Sequence, residues 1–256
     1  MLKNKIKKGD LTLGSWITIG NTSIAEILSK AGFDWIVVDL EHSSISLDQA
    51  GELIRTIDLC GVSPLVRLTS NDKNQIKRVL DAGAHGIIVP MVNTSEDAEN
   101  AVKASRYPPN GIRGVGLARA QGYGNEFEEY FKDQSDKNAG PIVIVQIEDI
   151  KGVKNLRNIL SVPNVDAFII GPYDLSCSMG IPGEFNNPDF IKVLNEIKSI
   201  GDDVNIPSGI HVVEPSNSQL KEAINEGYKF IAFSVDIRML DQAARNGTKE
   251  YNNKKK

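Results

Sequence analysis

Short runs of apolar, often β-branched residues recur along the chain and alternate with segments of helical periodicity. Eight runs predict strands over residues 13–19, 35–41, 63–69, 86–92, 141–148, 165–171, 207–213 and 230–236. Their nearly continuous hydrophobicity is typical of parallel strands buried on both faces. Capping-box patterns such as Ser46-Leu-Asp-Gln49 and helix stops such as Ala82-Gly83 occupy the gaps. Eight strand–helix units in 256 residues favour an α/β fold, a single TIM (β/α)8 barrel over residues 1–256.

A doubly wound open sheet is the alternative, but it predicts a G-x-G-x-x-G turn after the first strand. The turn here reads Ile19-Gly-Asn-Thr-Ser23. One connection, residues 107–139, is long and glycine-rich, and a short helix is predicted within it at 125–132. Insertions of this length in compact domains are often functional. A last helix is predicted over 237–246, with a separate polar tail at 247–256.

Charge is concentrated at the two ends of the chain. Residues 1–10 and 249–256 each hold four lysines and one acid, which leaves 21 basic against 31 acidic residues in the body. We expect the ends to be solvated and frayed. An acidic body disfavours nucleic-acid and anionic-membrane partners. Two cysteines cannot form a disulfide framework, and no apolar run resembles a signal peptide or a membrane span, so a cytoplasmic location is expected.

Polar side chains collect at the carboxyl ends of the predicted strands, where parallel barrels hold their reactive groups. Glu148 and Asp174 follow adjacent strands and can converge on one point. Two carboxylates completed by water suit a hard divalent cation such as Mg²⁺ or Mn²⁺. The alternative is that each carboxylate caps a following helix or pairs with a lysine.

Three further side chains stand out at this end. Arg67 lies in an apolar strand and needs an anionic partner, either a substrate carboxylate or a neighbouring Glu. His42 follows Asp39 and Glu41, so it is a candidate general base, unless it merely satisfies a loop. Trp16 either walls a pocket or packs in the core. The carboxyl halves of the predicted strands contain no lysine, which excludes a Schiff-base aldolase.

Several motifs identify a resemblance that spans nearly the whole chain. They are Ala31-Gly-Phe-Asp-Trp35, Asp39-Leu-Glu-His42, Val66-Arg67, Val89-Pro-Met-Val92, Arg106-Tyr-Pro-Pro109, Gly111-Ile-Arg-Gly-Val115, Val145-Gln-Ile-Glu148 and Ile170-Gly-Pro-Tyr-Asp-Leu-Ser176. With them the chain resembles the HpcH/HpaI aldolase family, the class II, metal-dependent pyruvate aldolases of the phosphoenolpyruvate/pyruvate barrel superfamily. The Arg-Tyr-Pro-Pro and Gly-Pro-x-Asp-Leu-Ser stretches are the specific ones.

The resemblance implies a role for each matching position. Glu148 and Asp174 would bind a divalent metal (Mg²⁺, Mn²⁺ or Co²⁺), and Arg67 would neutralise a pyruvate enolate. His42, oriented by Asp39 or Asp81, would act as acid and base on the hydroxyl of the bond being cleaved. The implied substrate contacts are Trp16, Gln146, Pro172, Tyr173 and His211.

The implied reaction is reversible cleavage of a 4-hydroxy-2-oxo acid to pyruvate and an aldehyde. Leu40 and His211 depart from some members of the family, which leaves the aldehyde open. The resemblance also implies a homo-oligomer, a hexamer built as a trimer of dimers with an exchanged last helix. Two alternatives are a lyase of the citrate-lyase or malyl-CoA-lyase type, acting on a CoA thioester, and a non-catalytic barrel that serves as a partner protein.

Overall fold

The computed structural model describes residues 1–135 and 139–254, and their parallel strands close into a barrel. The strands pair in chain order, and β8 pairs with β1. Their bounds are β1 Thr12–Ile17, β2 Trp35–Asp39, β3 Ser63–Arg67, β4 Gly86–Val89, β5 Ile142–Ile147, β6 Ala167–Ile170, β7 Ser208–Val212 and β8 Phe230–Val235. The predicted TIM barrel is confirmed.

Helices follow the strands and cover the outside of the barrel. Their bounds are α1 Leu2–Lys8, α2 Thr22–Lys30, α3 Leu47–Leu59, α4 Lys73–Asp81, α5 Ser95–Ser105, α6 Phe127–Ser135, α7 Ile150–Lys154, α8 Leu156–Leu160, α9 Pro172–Ser178, α10 Pro188–Asp203, α11 Asn217–Asn225 and α12 Asp236–Asn253. The predicted capping box is present, because the Ser46 side chain accepts from the Gln49 N–H and the Gln49 side chain accepts from the Ser46 N–H.

Alternate strand residues divide between two apolar layers. One set packs outward against the helices, and the other fills the barrel interior. In the interior, Trp35 stacks on Phe230 with ring centroids 4.1 Å apart. A side chain at Gly14 would overlap the Trp35 ring, with a Cβ only 2.0 Å from Cδ2. Glycine is therefore required at that position for the strand to pass the indole.

The amino-terminal segment is not the frayed end that its lysines suggest. It forms α1, whose Leu2 and Ile6 are buried in the interior layer at the amino-terminal end of the barrel. Lys3 Nζ donates to Pro141 O at 2.8 Å and lies 3.3 Å from Asp166 Oδ2. The i, i+4 pair of apolar residues lies on one helix face and overrides the charge pattern.

The long connection packs at the same, amino-terminal end of the barrel. It contains a 3₁₀ turn at Arg119–Gly124 and then α6, which confirms the short helix predicted there. The buried Arg113 guanidinium donates to Tyr130 Oη at 3.0 Å and lies over the Tyr107 ring. Residues 136–138 of the predicted 107–139 segment lie outside the described residues.

The last helix is longer than predicted. α12 continues to Asn253, so most of the segment expected as a separate polar tail is helical, while residues 255–256 lie outside the described residues. The segment has no proline to end the helix, and its side chains are compatible with helix. Among the described residues, no helix is long and apolar enough to cross a membrane.

Candidate active site

Strand alternation places the predicted site residues of the strands on the inner face of the barrel. Trp16, Asp39, Arg67, Gln146 and His211 share the parity of the interior-facing residues on their strands. Asp39 and Arg67 are register partners across β2 and β3. All five lie toward the carboxyl ends of their strands, where barrel enzymes hold their chemistry.

Asp39 holds Arg67 in a two-point ion pair. Arg67 Nε donates to Asp39 Oδ1 at 2.8 Å and Nη2 donates to Oδ2 at 2.6 Å. The Arg67 Cζ also lies 4.4 Å from the centre of the Trp16 ring. Both side chains are largely withdrawn from solvent. The guanidinium is therefore fixed in position before any substrate arrives. Its two-point partner is Asp39, which the sequence did not single out, while the expected neighbouring Glu is Glu41.

Glu41 is the residue to which the sequence analysis gave no site role of its own, although it stands beside His42. Its Oε2 lies 3.3 Å from Arg67 Nη1 and 3.7 Å from His42 Nε2. The pKa of Glu41 is raised to about 7, chiefly by burial; Arg67 lowers it, and the Glu148 and Asp39 carboxylates contribute to the rise. Its place at the end of β2, two residues after Asp39, was the available signal.

Glu148 is fixed by its neighbours at the end of β5. Its Oε1 accepts from the Met91 N–H at 2.6 Å, and its Oε2 accepts a short hydrogen bond from Gln146 Nε2. Burial raises the pKa of the Glu148 carboxyl, those two hydrogen bonds oppose the rise, and the nearby Asp174 carboxylate adds to it. Gly171 leaves room here, because a Cβ at that residue would lie 2.8 Å from Glu148 Oε2.

These residues fit a divalent cation. Glu148 and Asp174 interact electrostatically, and both carry hard oxygen donors. Gln146 Oε1 is buried and has no hydrogen-bond partner among the described residues, so a third oxygen remains available. The described residues contain no cluster of three or more His, Cys, Asp and Glu suited to a metal. A cation here would therefore be completed by water and by oxygens of the substrate.

Neither carboxylate predicted to orient the His42 imidazole does so within the chain. Asp39 accepts from the His42 backbone N–H, while the ring is largely exposed and nearest to Glu41. Asp81 ends α4, at the end of the barrel opposite the strand carboxyl termini, and it accepts from Arg113 Nη2 at 2.6 Å. Helices run antiparallel to the strands that they follow, so Asp81 and His42 of one chain lie at opposite ends.

The remaining predicted contacts surround the barrel mouth. His211 Nε2 lies 3.1 Å from Ser234 O, and the His211 ring packs 5.4 Å from that of Trp16. Pro172 occupies the first turn of α9. Tyr173 is half exposed and packs edge-on against Phe185. Trp16 is buried in the interior layer, so it both packs and forms the surface on which Arg67 lies.

A cavity of about 940 Å³ lies at the opposite end of the barrel. It is lined by His85, Asp58 and Arg119 among others, and Asp58 pairs with both of the other two. Burial lowers the pKa of His85. None of the predicted site residues lines this cavity, and these charges are already paired. The strand carboxyl ends, rather than this cavity, hold the candidate chemistry.

Comparisons with known proteins identify relatives over nearly the whole chain. The chain is 38% identical over 246 residues to the 4-hydroxy-2-oxo-heptane-1,7-dioate aldolase of Escherichia coli, covering 94% of this chain and 91% of that protein. It is 36% identical over 241 residues to the hydroxypyruvate/pyruvate aldolase of Roseobacter denitrificans, covering 93% and 91%. Both relatives are named as aldolases, which confirms the prediction of an enzyme of the lyase class.

A solved structure shows the same fold over the whole length. An HpcH/HpaI aldolase/citrate lyase family protein from Burkholderia cenocepacia superposes with a TM-score of 0.91 at 30% identity, covering 98% of each chain. The family model described as HpcH/HpaI aldolase/citrate lyase matches residues 12–243. This chain belongs to the HpcH/HpaI aldolase/citrate lyase family.

Proposed function

We propose that this protein is a divalent-metal-dependent aldolase that reversibly cleaves a 4-hydroxy-2-oxo acid to pyruvate and an aldehyde. One observation carries the proposal. The Arg67 guanidinium, fixed by Asp39 and Trp16, is within electrostatic reach of the Glu148 carboxylate, which itself interacts with Asp174. A fixed cation beside two oxygen-donor acids suits a substrate with adjacent carboxylate and oxo groups.

A cation held by Glu148 and Asp174, with Gln146 Oε1 beside it, would supply Lewis-acid polarisation of the 2-oxo group. Arg67 then acts as a preorganised donor for the negative charge that develops on the oxo oxygen. The Arg67 side chain need not rearrange during the reaction, because Asp39 already holds it in place.

Cleavage requires a base at the C4 hydroxyl. His42 takes that proton as the C3–C4 bond breaks, the C4 carbon leaves as the aldehyde, and the bonding electrons form the enolate of pyruvate. Transfer of one proton to C3, from solvent or from the protonated His42, then gives pyruvate and leaves His42 neutral for the next turnover. His42 is exposed at the mouth and can exchange its proton with solvent. Glu41 lies between His42 and Arg67, so its carboxylate can stabilise the protonated His42 ring after the hydroxyl proton has been taken.

Proton exchange at the pyruvate methyl group tests this proposal without knowledge of the aldehyde. We expect NMR in D₂O to show exchange that depends on added Mg²⁺, Mn²⁺ or Co²⁺ and is abolished by EDTA. Arg67→Ala should abolish it, while the matched control Arg55→Ala, on the exposed face of α3, should not. Metal-loaded protein without exchange would contradict the proposal, and binding of a CoA thioester in calorimetry would then favour the lyase alternative.

We also propose that the protein forms a homo-oligomer. Ile237 and Leu240 on α12 are 48% and 60% exposed, which suits an apolar helix face covered by another copy. If Asp81 serves His42, as the resemblance implies, it must do so from another subunit, because one chain holds the two at opposite ends. Light scattering of the purified protein tests the oligomer, and the hexamer and the cytoplasmic location stay predictions.

A further inference from the structure

Strand β8 carries a bulge beside the barrel mouth. The register with β1 moves from Gly14 opposite Ala232 to Trp16 opposite Val235, so β8 contains one extra residue. Ser234 lies in this bulge and has a φ of +54°, which is uncommon for a residue other than glycine. Bulges near active sites often redirect a backbone or side-chain group.

The bulge fixes the His211 ring on the neighbouring strand. Ser234 Oγ donates to Val213 O at 3.0 Å, and Ser234 O lies 3.1 Å from His211 Nε2. A carbonyl oxygen can only accept, so Nε2 must carry the proton. Burial lowers the pKa of His211 to about 4, which keeps the ring neutral at neutral pH. In the neutral ring with a protonated Nε2, Nδ1 is an acceptor.

His211 lies on the wall of the mouth that Trp16 shares with Arg67. The His211 ring on β7 packs 5.4 Å from the Trp16 ring on β1, and Arg67 Cζ lies 4.4 Å from the centre of the same Trp16 ring. No donor from the described residues reaches Nδ1, and the side chain is only partly buried. A substrate anchored at Arg67 and Glu148 would extend its other half along this wall.

We propose that His211 selects the aldehyde, its Nδ1 accepting a hydrogen bond from a hydroxyl on the carbon next to the aldehyde carbonyl. The preferred aldehyde class is then the α-hydroxyaldehydes rather than simple alkyl aldehydes. The inference rests on the proposed function, because it needs pyruvate and an aldehyde at this mouth. His211 acts as a specificity residue, since the burial that lowers its pKa makes the ring a weak base for the cleavage step, while Nδ1 can still accept a hydrogen bond.

The test compares two aldehydes that differ by a hydroxyl in place of a methyl, glycolaldehyde and propanal, in aldol addition to pyruvate. The measured quantity is kcat/KM with glycolaldehyde divided by kcat/KM with propanal. Because both values come from the same variant, a general loss of activity cancels in the ratio. We expect His211→Leu to lower the ratio about tenfold, as for loss of one hydrogen bond. Val212→Ala, on the outward face of β7, is the matched control and should leave the ratio unchanged.

Two further substitutions separate the ring nitrogens. Asn places its amide near the position of Nδ1, whereas Gln extends to that of Nε2. We expect His211→Asn to keep most of the preference, because its oxygen can still accept. His211→Gln should lose the preference, although it can still donate to Ser234 O.

Independent results can overturn the inference. An unchanged ratio in His211→Leu, with wild-type protein that exchanges the pyruvate methyl protons, refutes the role of His211 but not the aldolase. Wild-type protein without that exchange refutes the aldolase and the inference together. If the variants do not fold, imidazole ¹⁵N NMR of the wild type still decides, because a proton on Nδ1 removes the proposed acceptor.

Discussion

Asp39 Oδ1 and Oδ2 accept from Arg67 Nε and Nη2 at 2.8 and 2.6 Å, across register partners of two adjacent strands. The same carboxylate accepts from the backbone N–H groups of Glu41 and His42. One buried acid therefore fixes both the cation of the site and the turn that carries the candidate base. Its own role is to position these groups.

We expect Asp39→Asn to destabilise the protein strongly. The amide removes the two-point counter-charge of the Arg67 guanidinium in a site with little solvent, and only the single contact with Glu41 remains. Loss of one partner of a buried pair costs about 3–5 kcal/mol. Urea unfolding measures this change. Asp203→Asn, which breaks the exposed pair with Arg157, is the control and should cost less than about 1 kcal/mol. Equal losses in the two variants would contradict the role given to Asp39.

Glu41 should make the metal-free protein less stable as pH rises. Its pKa is 4.5 ordinarily and about 7 in the fold, so between these values the folded state holds a proton that the unfolded state has released. The free energy of unfolding therefore falls from pH 4.5 to 7. We expect Glu41→Gln to remove about 1–2 kcal/mol of this fall, after allowing for partial exposure of the group. Parallel pH profiles for variant and wild type, measured in EDTA, would argue against it.

Gly171→Ala should weaken metal binding without removing a ligand. The new Cβ would lie 2.8 Å from Glu148 Oε2 and 3.2 Å from Gln146 Nε2, so the carboxylate must move. Displacement of groups that orient a ligand typically costs about 10–100-fold in metal affinity. Calorimetry with Mn²⁺ measures it. The control is Gly51→Ala in α3, where a Cβ has nothing within 4 Å, and the two variants should differ clearly.

Ile6→Ala tests whether α1 is part of the core. Ile6 is 1% exposed beneath the barrel, so its truncation should lower the free energy of unfolding by about 2–4 kcal/mol. Ile27→Ala removes the same atoms from a side chain that is 63% exposed on α2 and should have little effect. A frayed amino terminus would instead give two equally mild variants in urea unfolding.

The sequence by itself determined the barrel and the end of it that carries the chemistry. The apolar runs had the length and continuity of parallel strands, and strand alternation alone sets Asp39, Arg67 and Gln146 on the inner face. These are local properties of the chain, so they can be inferred before any contact between strands is known.

Only the tertiary structure decided which groups are partners. The sequence offered Arg67 a substrate carboxylate or a neighbouring Glu, whereas the strand register makes Asp39 its two-point partner, with Glu41 as a second neighbour. Asp39 or Asp81 was expected to orient the His42 ring. Within one chain Asp81 lies at the other end of the barrel, and Glu41 is the carboxylate next to the ring. The tautomer of His211 depends on a bulge in a neighbouring strand. Pairing, burial and pKa arise from residues distant in sequence, which no local pattern specifies.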